Sequence, residues 1–315
     1  MPLSRRHLLL SAPALLLASR LPAAAPLQVV ATTGMIADAA RAIGGDAVNV
    51  KALMGPGVDP HSYRQTRSDI VAMTRADLVL RHGLYLEAQM EEFFDQLAGR
   101  RALVAVAEAI PRDRLRAHAD YADKFDPHVW MEPGLWSVPV AEVQRALTAV
   151  RPDLAEAFAA RAEAYQSTLA RLDTYAGQAM TSVPGPARVL VTAHDAFGYF
   201  GQAYGVEVLG IQGISTESEA GLNRIGQLVD LLVDRGIGAV FVESSVSDRN
   251  MRALIEGAAS REHRVEIGGE LYSDAMGVPG TYEGTYPGMI DHNVTTIARA
   301  LGGAAPAAGR LGRLA

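Results

Sequence analysis

Residues 152 to 183 read PDLAEAFAARAEAYQSTLARLDTYAGQAMTSV, and the organisation of the whole chain turns on this stretch. Leu154, Phe158, Tyr165, Leu169, Leu172 and Ala176 recur at intervals of three, four or seven, which keeps them on one face of an α-helix. Gly177 is the one turn signal inside it, so the spacing predicts a single long helix; the competing reading is two shorter helices that break there. At 1.5 Å of rise per residue such a helix spans about 40 Å, enough to traverse a domain and join two lobes rigidly.

On both sides of this helix, short β-branched runs alternate with amphipathic helical stretches, the pattern of parallel sheets covered by helices. Before it, strands are expected at Leu27 to Ala31, Val48 to Leu53, Asp77 to Arg81 and Ala102 to Val106. Helices are expected near Met35 to Ile43, Thr66 to Arg75, Glu87 to Leu97 and Leu135 to Val150, with a polar segment from Pro111 to Pro127. After it, strands are expected at Val189 to Thr192, Val206 to Ile211, Ala239 to Val242 and Val265 to Ile267. Helices are expected up to Tyr204, at Leu222 to Asp234, at Asp248 to Ala259 and at Pro287 to Leu301; the Ala/Gly-rich tail from Gly302 reads as frayed. A chain of 315 residues exceeds what one core usually serves, so two lobes fit its length as well as its pattern. The expected division is an N-terminal lobe over 26–151, the linking helix over 152–183 and a C-terminal lobe over 184–315.

Residues 1–25 stand apart. Arg5 and Arg6 lead into an apolar run from Leu8 to Leu17, then to Ala23, Ala24 and Ala25, which is the layout of a secretory signal peptide. The run is too short for a permanent membrane span. The string SRRHLLL also fits a twin-arginine signal, and an ordinary secretory signal tolerates two arginines, so both export routes stay open. There is no cysteine, hence no disulfide framework, no thiolate metal site and no attachment point for a lipid anchor, and a free periplasmic protein is expected. Without the signal, 26 basic side chains face 35 acidic ones, a net charge of −9 that disfavours nucleic acid or anionic lipid as partners and tolerates a cationic ligand.

Two histidines share one local string, Val-Asp-Pro-His61-Ser-Tyr and Phe-Asp-Pro-His128-Val-Trp. Proline fixes its own φ and restricts the residue before it, so each histidine is presented from a stiff turn. Asp59 and Asp126, two residues earlier, are placed to orient the imidazoles. His194 follows the strand Val189 to Thr192 at its carboxyl end, the edge where open parallel sheets bind ligands. Asp274 lies in the glycine-bearing loop ELYSDAMG, where a lone aspartate ordinarily caps a turn. His82, His118, His263 and His292 read as surface or satisfied core residues.

The strings GVDPHSY, DPHVWMEP, AHDAFGYFGQAYG, IQGISTESEAG, LYSDAMG and GMIDHNVTTIARAL together resemble the zinc and manganese (cluster A-I) solute-binding proteins of metal ABC transporters, over residues 27 to 302. The resemblance implies an α/β fold of two Rossmann-like lobes with parallel sheets joined by one long linking helix, and a single metal ion in the cleft. Carried over motif by motif, it implies His61, His128, His194 and Asp274 as the metal ligands, and it alone promotes Asp274 to that role. It also implies Zn2+ or Mn2+ as cargo, with iron less favoured, a membrane permease with its ATPase as partner, and a monomer. Met131-Glu132 replaces the family's common Leu-Asp and leaves the ligand histidine untouched.

Three imidazoles and one carboxylate suit tetrahedral zinc; manganese prefers more oxygen, which both oxygens of Asp274 can supply. The rival function is a metal-dependent hydrolase on the same donors, with Glu243 or Glu217 as general base, although no HExxH signature is present. A metal-stabilised adhesin is a third reading. The binding-protein reading expects replacement of His61 or His128 to cost the most affinity and replacement of Glu243 to cost little. It expects limited lobe rotation about the stiff helix, and affinity that falls as pH drops through roughly 6 to 6.5, where free histidine titrates.

Overall fold

The computed structural model describes residues 25–118, 121–217 and 221–314. All but the last residue of the expected signal peptide lies outside them. The first lobe runs β1 (Leu27–Ala31), α1 (Gly34–Gly44), β2 (Val48–Ala52), α2 (Arg67–Arg75), β3 (Leu78–Arg81), α3 (Glu91–Ala98), β4 (Leu103–Ala105) and α4 (Pro133–Val150). Its sheet is parallel throughout, in the order β2-β1-β3-β4, with Val29 opposite Val50 on one side and Leu78 on the other. Thr66 starts α2 with a capping box, its hydroxyl taking the Asp69 N–H while Asp69 takes the Thr66 N–H, which satisfies two end donors at once.

The linking helix is α5 (Ala155–Ser182), unbroken through Gly177 and preceded by a 3-10 turn at Pro152–Leu154. Phe158, Tyr165, Leu169, Leu172 and Ala176 form its buried stripe, as the spacing predicts. The second lobe follows as β5 (Val189–Thr192), α6 (Gly198–Tyr204), β6 (Glu207–Gly210), α7 (Leu222–Arg235), β7 (Ala239–Glu243), α8 (Arg249–Ala259), β8 (Glu266–Leu271) and α9 (Tyr286–Ala300). Here the parallel pairing is split: β5 pairs β6 and β7 pairs β8, while β5 runs beside β7 without a ladder among the described residues. β8 extends beyond the expected Val265 to Ile267 because Gly268 and Gly269 carry the chain past an irregularity opposite Val240 and Phe241; Gly269 has φ +153° there.

The main core is continuous across both lobes. α1 and α4 of the first lobe and α6 and α9 of the second all pack on α5, and one cluster of buried side chains runs from Leu27 through Trp136 and Leu172 to Leu301. Each lobe's outer face keeps its own smaller core, around Met73 and Phe94 in the first and Leu232 and Met251 in the second. Asp38 of α1 takes the Tyr165 hydroxyl at 2.8 Å and the Tyr286 N–H at 3.2 Å, tying α1, α5 and α9 at one point. The tail departs from the expectation of fraying. Ala304 N–H donates to Ser182 Oγ (2.7 Å), Arg310 N–H donates to buried Asp291 (2.8 Å), and Arg313 lies over the Tyr282 ring.

Candidate metal centre

His61, His128, His194 and Asp274 meet at one buried point, with one donor atom from each lying within 4.8 Å of all the others. Each comes from beyond the carboxyl end of a strand: His61 after β2, His128 between β4 and α4, His194 after β5 and Asp274 after β8. Helices on both faces leave this edge as the place where loops from both lobes converge.

The spacing matches a small cation. Nε2 of His128 is 3.2 Å from Nε2 of His61 and 3.3 Å from Nε2 of His194. Asp274 Oδ1 is 3.3 Å from His128 Nε2 and 3.9 Å from His61 Nε2, and Oδ2 is 3.3 Å from His194 Nε2. A tetrahedron with bonds of about 2.1 Å has edges of about 3.4 Å. Asp274 Oδ1 is buried and accepts no hydrogen bond, which is costly for a carboxylate oxygen unless a cation faces it.

The imidazoles are held by their outer nitrogens. Asp126 Oδ1 accepts from both the backbone N–H (3.0 Å) and Nδ1–H (2.8 Å) of His128, leaving Nε2 to face the centre. Asp59 repeats only half of this, since its Oδ1 accepts from the His61 backbone N–H (2.9 Å) and its Oδ2 takes the hydroxyls of Ser62 and, across the cleft, Thr216. The expectation that both aspartates orient the rings therefore holds for Asp126 alone. Proline delivers the backbone of both turns to the aspartate, but the ring contact needs a side-chain rotation that the sequence does not encode.

Glu243, the last residue of β7, is the partner that sequence reasoning missed. Its Oε2 accepts from His194 Nδ1–H at 2.5 Å and its Oε1 from the His194 backbone N–H at 2.9 Å. Both its oxygens thus engage His194, which argues against the expectation that its replacement costs little. Glu217 is exposed and accepts from Gln89 Nε2 (2.7 Å). Of the other histidines, His82 is buried and donates Nε2–H to the Pro127 carbonyl (2.8 Å), bracing the His128 turn. His263 and His292 bond the carbonyls of Ile237 and Glu270, and His118 Nδ1 accepts from the Tyr121 N–H.

Protonation separates the three clustered histidines. Burial pulls His61 down to about 3, so it stays neutral. Burial acts the same way on His128, but the carboxylates of Asp126, bonded to its Nδ1, and of Asp274, facing its Nε2, outweigh it and lift the ring to about 9. On His194 burial is likewise outweighed, by the charges of Glu243 and Asp274, which raise it well above the usual range. Burial would raise Asp274, but the imidazoles around it hold it well below the ordinary carboxylate value. Protons on His128 and His194 thus occupy the electrostatic place of a cation, and a metal ion must displace them.

The family model of the zinc-uptake complex component A, periplasmic, matches residues 29–300. The chain is 49% identical over 275 residues to the manganese-binding lipoprotein MntA of Bacillus subtilis, covering 87% of this chain and 90% of that protein. It is also 49% identical over 273 residues to the zinc-binding protein TroA of Treponema pallidum, covering 87% and 88%. The solved structure of the periplasmic zinc-binding protein TroA superposes with a TM-score of 0.86 at 47% identity, over 88% of this chain and 99% of that one. Two α/β lobes on a shared helix, four converging donors and a match along nearly the whole described chain lead to one assignment: this protein belongs to the family of the periplasmic zinc-uptake complex component A.

Proposed function

We propose that this protein captures one divalent transition-metal ion, zinc or manganese, between its lobes and delivers it to the membrane permease of an ABC importer driven by a separate ATPase. The ligands are His61, His128, His194 and Asp274. The observation that carries this is the charge of the site. Three buried carboxylates, Asp274, Asp126 and Glu243, surround the three imidazoles, and Arg116 approaches one of them, Asp126 Oδ2, at 3.4 Å. Arg116 offsets one negative charge; a divalent cation on neutral histidines offsets the other two. Relatives named for manganese and for zinc match this chain equally well, in keeping with a donor set that serves either ion.

A transport role suits the enclosure better than catalysis. Four protein donors close around the point, and the cavity that borders His61 among the described residues holds about 60 Å3. The protein acts without enzymatic activity, as a monomer of two lobes, 26–151 and 184–315, joined by the helix at 152–183. It is exported to the periplasm by residues 1–25.

The test is metal analysis of the protein purified from its native periplasm, paired with titration of the stripped protein by zinc and manganese. One ion per chain, lost in His61→Ala and His194→Ala, is the expected result. Absence of stoichiometric metal in both experiments overturns the reading and leaves the two Asp-Pro-His turns as structural features.

A further inference from the structure

We propose that Ser245 is a positioning residue that biases the site toward zinc by holding back one oxygen of Asp274; the inference rests on the metal-site reading above. Zinc is satisfied by four donors, whereas manganese favours more oxygen and a higher coordination number. Among the four ligands, only Asp274 can change the donor count, by binding through one oxygen or two.

The two oxygens are not equivalent. Oδ1 accepts no hydrogen bond and faces His61 and His128. Oδ2 faces His194 but also accepts from the Ser245 hydroxyl at 3.2 Å. Ser245 Oγ is in turn 2.9 Å from Ser273 Oγ. A hydroxyl carries one proton. With that of Ser245 given to Asp274, Ser273 must be the donor between the two serines, and a relay runs Ser273 to Ser245 to Asp274 Oδ2. Such a chain polarises each bond along it and strengthens the last one. It also fixes the carboxylate's rotation, because Ser273 is itself anchored through its carbonyl, which accepts from Trp130 Nε1–H at 2.8 Å. Oδ1 is left as the unencumbered ligand atom, and Oδ2 is drawn toward the serine.

The origin of the relay is local. Ser245 stands two residues beyond Glu243 at the end of β7. One strand end therefore supplies the partner of each ligand from the second lobe, Glu243 for His194 and Ser245 for Asp274. Ser245 also borders a cavity of about 540 Å3 lined by Gln212, Arg249 and Asn250, so a methyl group added there has space.

That space permits a matched comparison of Ser245→Val with Ser245→Thr in the full mature chain, nearly equal in shape and different in the hydroxyl. The probes are cobalt(II), whose visible absorption weakens as coordination rises from four to five, and competitive titrations with zinc and with manganese. The valine variant should show weakened cobalt bands, about tenfold lower zinc affinity and undiminished manganese affinity, while the threonine variant behaves as wild type. Should valine prevent folding, Ser245→Ala replaces it in the same comparison. Valine and threonine variants with the wild-type cobalt spectrum and the wild-type ratio of zinc to manganese affinity would overturn the proposal and leave the metal site standing. A wild-type chain that takes up none of the three ions overturns both.

Discussion

Replacing Glu243 by glutamine preserves shape and removes one acceptor, and the consequences can be followed atom by atom. Glu243 accepts twice from His194, from Nδ1–H at 2.5 Å and from the backbone N–H at 2.9 Å. Glutamine has one acceptor and one NH2. In the metal-free variant the amide oxygen keeps the backbone N–H, and the NH2 donates to an unprotonated Nδ1, which places the ring proton on Nε2. Every group is then satisfied, but Nε2–H points at the centre. Binding a metal through Nε2 forces the proton back to Nδ1, against the NH2, or turns the amide and strands the backbone N–H. Either way the loaded state carries a buried unsatisfied donor, about 1–3 kcal/mol, or roughly 10–100-fold in affinity. The difference from wild type should widen as pH rises, because only the wild-type His194, lifted well above the usual range, has a proton to shed on binding. Competitive zinc titration against a chromophoric chelator at pH 7.5 and 8.5 measures this, with Glu217→Gln as a near-neutral control. Affinity of Glu243→Gln within threefold of wild type at pH 8.5 refutes the argument.

Apparent metal affinity should fall continuously as pH drops from 9 to 5.5, because His128, lifted to about 9, must lose its proton while His61, at about 3, has none to lose. The slope approaches tenfold per unit for each proton displaced, and calorimetric titrations giving flat affinity over this range would contradict it. Gly177→Ala fills open space inside α5, where an added Cβ meets nothing within 4 Å, and should stabilise by about 0.5–1 kcal/mol, read as a Tm increase of a few degrees. Truncation after Leu301 removes the Arg310 N–H from buried Asp291 and the Ala304 N–H from Ser182, and should lower Tm by a few degrees without changing metal affinity. Solution scattering of metal-free and loaded protein should differ little, since α5 is a shared core; a large closure would count against this.

How far the sequence disclosed all this depended on whether a feature is local. The long helix was legible because Phe158, Tyr165, Leu169 and Leu172 repeat the helical period over many turns, enough to outweigh one glycine. His61 and His128 were legible because Asp-Pro-His occurs twice, and His194 because a strand ends just before it. Asp274 had no local signal, and a resemblance was needed to find it. Glu243 stood in plain view at a strand end, but its partner lies 49 residues away, just past the end of β5, which runs beside β7 with no ladder to register them. The tail was misread for a related reason: its anchors are the backbone N–H groups of Ala304 and Arg310, which an Ala/Gly-rich composition does not reveal.

The same geometry couples holding the ion to holding the lobes together. Each histidine segment is bonded to the opposite lobe close to its ligand. Asp59, two residues before His61, takes the Thr216 hydroxyl at 2.6 Å. Asp126, two before His128, offers its carbonyl to the Tyr199 hydroxyl at 2.9 Å, five residues after His194. Trp130, two after His128, donates to Ser273, the neighbour of Asp274, and accepts the Tyr286 hydroxyl at 2.8 Å. Most of these bonds are between neutral groups, each contributing about 1 kcal/mol, and none alone locks the cleft. A shift that pulls one ligand from the ion nevertheless strains the bond beside it, and breaking those bonds loosens the ligands. Release should therefore be cooperative, driven by whatever separates the two faces of the cleft, and the continuous core around α5 should keep that separation small.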